Sequence, residues 1–163
     1  MNVYSQEEID RINKIKETND RLEEFFKNKR EEWNKNTQPL FDVLKIEINS
    51  TNSKKIMDSQ STCLTYRQLL NEQISVFLDK RSKQDVKIKR LKQDKFIWYA
   101  TSFGVKTNMG EKTVLIEAHV AEENRNINLI ENYIEYMRQT SKNLESLQYT
   151  IKNIIELMNY LSR

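Results

Sequence analysis

The stretch that decides the fold is residues 130–161, IENYIEYMRQTSKNLESLQYTIKNIIELMNYL. Its apolar positions recur at alternating spacings of three and four residues, and this set is called the seam below. The seam consists of Ile130, Tyr133, Met137, Thr140, Leu144, Leu147, Ile151, Ile154, Met158 and Leu161, of which only Thr140 is polar. Heptad spacing sustained over this length predicts a long amphipathic helix whose apolar side packs against other helices.

The partner of the seam has two possible identities. Ile134 and Ile155 broaden the stripe, which suits contact with more than one other helix. We therefore expect residues 122–163 to form a C-terminal oligomerisation helix, with the apolar members of the seam as the interface of a homo-oligomer. The alternative is that the seam packs on earlier helices of the same chain.

Glycine and proline are scarce in the rest of the chain. The 163 residues contain two glycines and one proline, whereas sheets of many short strands need frequent turns. Pro39, Gly104 and Gly110 are predicted to separate long helical segments. We expect a mostly α fold, with at most one short strand pair, because LFDVLKIEI at 40–48 fits either a strand or a short helix.

Residues 1–38 are predicted to form an N-terminal helical arm. Ser5 and Glu8 have the spacing of a capping box. An apolar heptad stripe follows, interrupted by two polar members, Asn19 and Lys29; its apolar members are Ile12, Ile15, Leu22, Phe26 and Trp33. Such a stripe is typical of a helix that faces partner helices.

The region between the two outer helices, residues 39–121, carries a concentration of positive charge. Residues 80–95, KRSKQDVKIKRLKQDK, contain Lys80, Arg81, Lys83, Lys87, Lys89, Arg90, Lys92 and Lys95 against Asp85 and Asp94, a balance of +6 in a chain of net +3. Lys80, Lys83, Lys87 and Arg90 fall on one helical face. The aromatic run FIWY follows directly, with Trp98 and Tyr99. Cations beside flat rings suit single-stranded nucleic acid, although a solvated helix face with a buried aromatic end is the simpler interpretation.

Motifs for catalysis and metal binding are weak. His119 and Glu122 have a metal-like spacing but no third ligand, and Cys63 has no histidine near it in sequence. No glycine-rich phosphate loop can be formed. We therefore expect no enzyme activity, no cofactor and no metal. The single cysteine suits a reducing cytoplasm, and neither a signal peptide nor a membrane-spanning segment is expected.

Four short stretches resemble one known family in order and spacing. LKQDKFIWYATSF (91–103) is similar to the basic-then-aromatic stretch of UvsY-type recombination mediators of T-even-like phages. Lys95 matches the family's basic position before the aromatics, and Trp98-Tyr99 match its aromatic pair. IEINSTNSKK (46–55), KTVL (112–115) and IKNIIE (151–156) resemble further family segments, whereas residues 1–38 have no counterpart.

The resemblance implies a non-enzymatic protein that forms ring-like or open-barrel homo-oligomers. Such a protein would bind single-stranded DNA, loosen the single-strand-binding protein and load the phage's RecA-like recombinase, in the cytoplasm of an infected bacterial host cell. Repetition of a weak binding strip around an oligomer would raise avidity. The alternative is a coiled-coil structural or virion-assembly factor whose basic strip binds an acidic protein partner. A membrane-surface helix is disfavoured, because the strip lacks a continuous apolar face.

Overall fold

A computed structural model of the chain describes residues 4–49, 51–104 and 108–161. Within these residues the chain forms helices α1 (Gln6–Asp42), α2 (Ser53–Thr101), α3 (Met109–His119) and α4 (Ala121–Leu161), with one 3₁₀ turn at Val43–Lys45. The predicted mostly α fold is confirmed. The described part of residues 40–48 contains the end of α1 and the 3₁₀ turn, and no strand.

Helix α1 begins at the predicted capping box. The Ser5 amide donates to Glu8 Oε2 at 3.0 Å, and the Glu8 amide donates to Ser5 Oγ at 3.3 Å. The prediction that Pro39 separates two segments is wrong, because α1 continues to Asp42. Pro39 is exposed while Leu40 and Val43 are buried, so packing of the flanking residues retains the last turn and water can solvate the carbonyl that proline leaves unbonded.

Helix α2 is a single helix of 49 residues. It begins at Ser53 and runs through the basic strip without a break. No glycine or proline interrupts residues 53–101, so the thinning of apolar positions after Leu78 changes exposure and not conformation.

The chain divides into two compact units that do not follow the successive segments 1–38, 39–121 and 122–163. The first unit combines Met1–Phe25 with Phe77–Asn132, and the second combines Phe26–Val76 with Tyr133–Arg163. Each unit therefore draws on parts of α1, α2 and α4.

The core of the second unit is formed where α4 packs on α1 and α2. The rings of Phe26 and Tyr133 stack at 4.4 Å, and Trp33 meets Tyr66 edge-on at 5.6 Å. Arg67 of α2 donates to Glu145 of α4 at 2.8 Å. The seam residues Tyr133, Met137, Leu144, Leu147 and Ile151 are at most 2% exposed in this single chain.

Most of the seam therefore packs internally, as in the alternative considered above. Ile130, in the first unit, is likewise buried. Thr140, in the middle of the seam, is half-buried. In the last turns of α4, Ile154 and Met158 are half-buried and Leu161 is 73% exposed. Neighbouring Leu157 and Tyr160 are also exposed. A homo-oligomeric contact through the seam would have to use its C-terminal end.

In the first unit, α3 is positioned by its own capping box. Asn108 Oδ1 accepts from the Glu111 amide at 2.8 Å, and Glu111 Oε2 accepts from the Asn108 amide at 2.9 Å. The core of this unit is made by Ile88, Tyr99, Ile116, Val120 and Ile130. It also buries three polar side chains, Asn19, His119 and Glu123, which an apolar-periodicity argument does not place inside. None of the described helices is both long enough and apolar enough to cross a membrane.

Candidate nucleic-acid interface

A groove runs along the first unit between α1 and α2. Its rims carry exposed side chains of both helices, and buried residues around the α3–α4 junction, such as Val120 and Glu123, form its floor. Adjoining hollows of the groove share residues, among them Arg11 and Lys87, and so form one path. From Lys80 to Trp98, the α2 rim is roughly 27 Å long at a rise of 1.5 Å per residue.

The Lys80 end of the groove is cationic with an apolar floor. Lys80, Lys83 and Lys87 line it above three apolar side chains, Leu22, Phe77 and Ile130. Lys80 Nζ lies 4.9 Å from the centre of the Phe77 ring, and Lys83 Nζ lies 2.6 Å from Asp79 Oδ2 in an exposed pair. Among the described residues, no acidic side chain lines this end. Lys80 and Lys87 form no ion pair with a residue that the structure describes, and the Lys83 pair is exposed, so this end keeps a net positive charge for an anionic ligand.

The middle of the floor is a buried polar network that joins α1 to α4. Asn19 Nδ2 donates to the Glu122 carbonyl at 2.8 Å, and Asn126 Nδ2 donates to Asn19 Oδ1 at 2.8 Å. Arg11 pairs with Glu123 Oε1 and also donates to the His119 carbonyl at 2.8 Å. This network explains why the predicted apolar stripe of α1 has a polar member at Asn19: the amide bonds across the helices.

The Trp98 end of the groove contains a second polar cluster. Glu8 of α1 forms an ion pair with Lys95 of α2, and its Oε1 lies 3.3 Å from His119 Nδ1. The Tyr99 hydroxyl and His119 Nε2 are 2.8 Å apart. Lys95 Nζ lies 5.0 Å from the centre of the Trp98 ring, which is half-buried. Together these contacts fix the N-terminal turn of α1 against α2 and α3.

Burial and charge shift the titration of this cluster in different directions. Burial lowers the pKa of His119 below its ordinary value of 6.5, against the opposing effect of the Glu8 carboxylate. Burial alone would raise the pKa of Glu8, but hydrogen bonds from Lys95 and the Ser5 amide lower it overall. Burial also raises the pKa of the Tyr99 hydroxyl. At neutral pH the cluster thus contains a neutral imidazole beside a carboxylate–ammonium pair.

The predicted nucleic-acid-binding residues fall into two sets. Lys80, Lys83, Lys87, Lys95 and Trp98 line the groove. The other cations lie elsewhere: Arg81 pairs with Glu131 at 2.5 Å, Lys89 with Asp85 at 2.8 Å and Lys92 with Glu117 at 2.6 Å, while Arg90 is exposed. Tyr99 is buried and not available as an open ring face. Trp98, in contrast, is only half-buried.

Helical register explains why Tyr99 is more buried than Trp98. Ile88, Lys92, Lys95 and Tyr99 follow each other at spacings of four, three and four on the core side of α2, which carries Tyr99 into the interior. Phe96, which also belongs to the aromatic run, is off that side and 41% exposed, so its ring is available to a ligand. Lys14 of α1 also lines the groove. The sequence did not predict it as a binding residue, because only the run of positive charge in α2 indicated a binding site.

The residues considered for catalysis occupy structural positions. Cys63 is fully buried, and burial raises the pKa of its thiol, which disfavours the reactive thiolate. His119 is 1% exposed within the cluster described above. In the part of the chain that the structure describes, no three His, Cys, Asp or Glu side chains lie together as a metal site would need.

Comparison with known proteins gives no relative for this arrangement: no family model, no curated protein and no solved structure matches the chain.

Proposed function

We propose that this protein is a non-enzymatic binder of single-stranded nucleic acid and that the strand lies in the groove between α1 and α2. The observation that carries the proposal is the Lys80 end, where three lysines stand over an apolar floor with no acidic residue among the described lining residues. Phosphates favour the lysines, and unstacked bases favour apolar and aromatic surface. Trp98, at the other end, adds a partly exposed ring.

A single strand suits this groove better than a duplex. The floor of the groove is apolar at Leu22, Phe77 and Ile130, whereas a duplex keeps the apolar faces of its bases stacked inside and presents phosphates, sugars and base edges. A single strand can turn its bases toward the floor while its phosphates stay at the lysine rim. We therefore assign the strand's bases to the groove and its backbone to the exposed side of α2.

The biological role that we propose is recombination mediation in a phage-infected bacterial cell. The support is the resemblance of residues 91–103, 112–115 and 151–156 to UvsY-type mediators, together with the groove. In this role the protein holds a single strand so that the single-strand-binding protein is loosened and a RecA-like recombinase is loaded. Self-association would repeat a weak site in each copy of the chain, and one strand bound to several copies would be held more tightly. The exposed end of α4, with Leu157, Tyr160 and Leu161, is the surface that we propose for it.

The test is equilibrium binding of labelled oligonucleotides over a range of salt concentrations. We expect the single strand to bind more tightly than the matched duplex, with affinity falling steadily as salt rises. Sedimentation of the same samples would report self-association. If neither strand form binds at low salt, the proposal is wrong, and a coiled-coil assembly factor with an acidic protein partner becomes the better hypothesis.

A further inference from the structure

We infer that the Trp98 end of the groove reads bases and selects those with an exocyclic amino group: cytosine, adenine and guanine over thymine and uracil. This inference rests on the proposed function and adds a base preference to it. It comes from the charge difference between the two ends of the groove and from one buried carboxylate oxygen on its floor.

The Trp98 end is acidic where the Lys80 end is basic. Its two cations are already engaged, Arg11 by Glu123 and Lys95 by Glu8. Glu7 and Asp94 line the same end, are exposed, and form no ion pair with any residue that the structure describes. Two uncompensated carboxylates repel phosphates, so the part of a strand that enters here must be its bases.

Asp94 and Trp98 lie on the same face of α2. They are four residues apart on one continuous helix, which makes their side chains neighbours. A base held against Trp98 would therefore have its edge beside the Asp94 carboxylate. A carboxylate accepts hydrogen bonds and donates none, so it favours an amino group such as N4 of cytosine and disfavours a carbonyl such as O4 of uracil.

A buried acceptor on the floor points to the same ligand chemistry. Glu123 is fully buried and lines the groove next to the acidic end. Its Oε1 pairs with Arg11, but its Oε2 is buried and has no hydrogen-bond partner among the described residues. A buried acceptor without a donor is unusual and costly, and a ligand that brings an N–H group into the groove would satisfy it.

The experiment compares oligo-dC with oligo-dU of equal length at pH 8. These strands share their backbone. At position 4 of the ring cytosine has an amino group and uracil a carbonyl, and the one N–H of the uracil ring, at N3, lies between two carbonyls that a carboxylate repels. We expect wild-type protein to bind oligo-dC roughly tenfold more tightly, which is within the discrimination that one good base contact provides. In the double variant Asp94→Asn with Glu7→Gln, the ratio should fall toward one, and oligo-dU should bind more tightly than to wild type because the repulsion is removed.

The matched control is Asp58→Asn with Glu31→Gln, which makes the same charge change at exposed positions of the second unit and should keep the dC-to-dU ratio. Equal wild-type affinity for both strands would overturn the base preference and leave the proposed function standing. A ratio that persists in the Asp94 and Glu7 variant would also overturn it. Absence of binding to either strand would overturn the preference and the proposed function together.

Discussion

The hydroxyl of Tyr99 and Nε2 of His119 lie 2.8 Å apart inside the first unit, where both side chains are buried. This contact links α2 to the end of α3 at the floor of the groove. Tyr99 is the ring of the aromatic run that lies on the core side of α2. The availability of the neighbouring Trp98 and Phe96 to a ligand is a consequence of that register.

The buried imidazole predicts a pH-dependent stability. The folded pKa of His119 is below its ordinary value of 6.5, so the unfolded chain binds a proton more readily. The contribution of the neutral His119 imidazole to the free energy of unfolding is complete above pH 6.5. It is lost as the pH falls from there toward the lowered folded pKa. Protonation of Glu8 also lowers the free energy of unfolding, but only below the ordinary pKa of 4.5 for its carboxyl group. Urea unfolding between about pH 7.5 and pH 5.5 should therefore show a decline assigned to His119.

The matched variant for that experiment is His119→Gln, whose amide can still bond to Tyr99. The variant should be less stable than wild type at pH 7.5, because a glutamine side chain does not fill the space of the imidazole ring. Its stability should change less than that of wild type over the same pH range. An equal decline in wild type and variant would assign the pH dependence to other groups.

The lysine rim predicts a change in salt dependence. Replacement of Lys80, Lys83 and Lys87 with Ala should weaken single-strand binding and reduce the slope of log K against log salt by roughly two units, at about 0.7 for each phosphate that is no longer neutralised. The control replaces Lys16, Lys27 and Lys35, which are exposed on α1 and do not line the groove. Equal slopes for the two triple variants would mean that net charge, and not the groove, determines binding.

Trp98 predicts a stacking contribution. Trp98→Ala should weaken strand binding by about 1–3 kcal/mol, and Phe96→Ala measures separately whether the exposed ring next to it contributes. Tryptophan emission during titration with an oligonucleotide reports on Trp98 directly in a Trp33→Phe background, because the chain has only these two tryptophans. An emission spectrum that does not change at saturation would show that Trp98 is only a packing residue.

The seam predicts two opposite outcomes along one helix. Leu147 and Ile151 are buried inside the chain, so Asp at both positions would place unpaired charge in the core and should cost several kcal/mol, enough to unfold the second unit. Asp at Leu157 and Leu161, which are exposed, should leave the helix content unchanged. Circular dichroism separates these outcomes.

Sedimentation of the Leu157 and Leu161 variant then tests the proposed contact between copies. A folded variant that sediments as a smaller particle than wild type would assign self-association to the end of α4. Wild type and variant of equal size would remove that surface from the proposal.

Heptad spacing and scarce glycine were sufficient to predict a fold of long helices, since both act through local geometry, but they did not predict that α1 continues through Pro39 or that α3 is a separate helix. The groove was only half predictable. The charge run from Lys80 to Lys95 marks one rim, but the other rim comes from Glu7 to Thr18 of α1, more than 50 residues earlier in the chain. Which cations are neutralised also depends on such distant partners, as when Glu8 engages Lys95 and Glu117 engages Lys92. A one-dimensional pattern does not contain these pairings.

The contacts that join α1 to α4 have a consequence for how the chain folds. Asn19 meets Asn126 across 107 residues of sequence, and Arg11 meets Glu123 across 112. Helical proteins usually fold quickly because their contacts are local, whereas here the closure of a long loop must precede the burial of these groups. During synthesis, α1 cannot form these contacts with α4 until most of the chain has been made. Folding should accordingly be slow for an all-helical protein of this size.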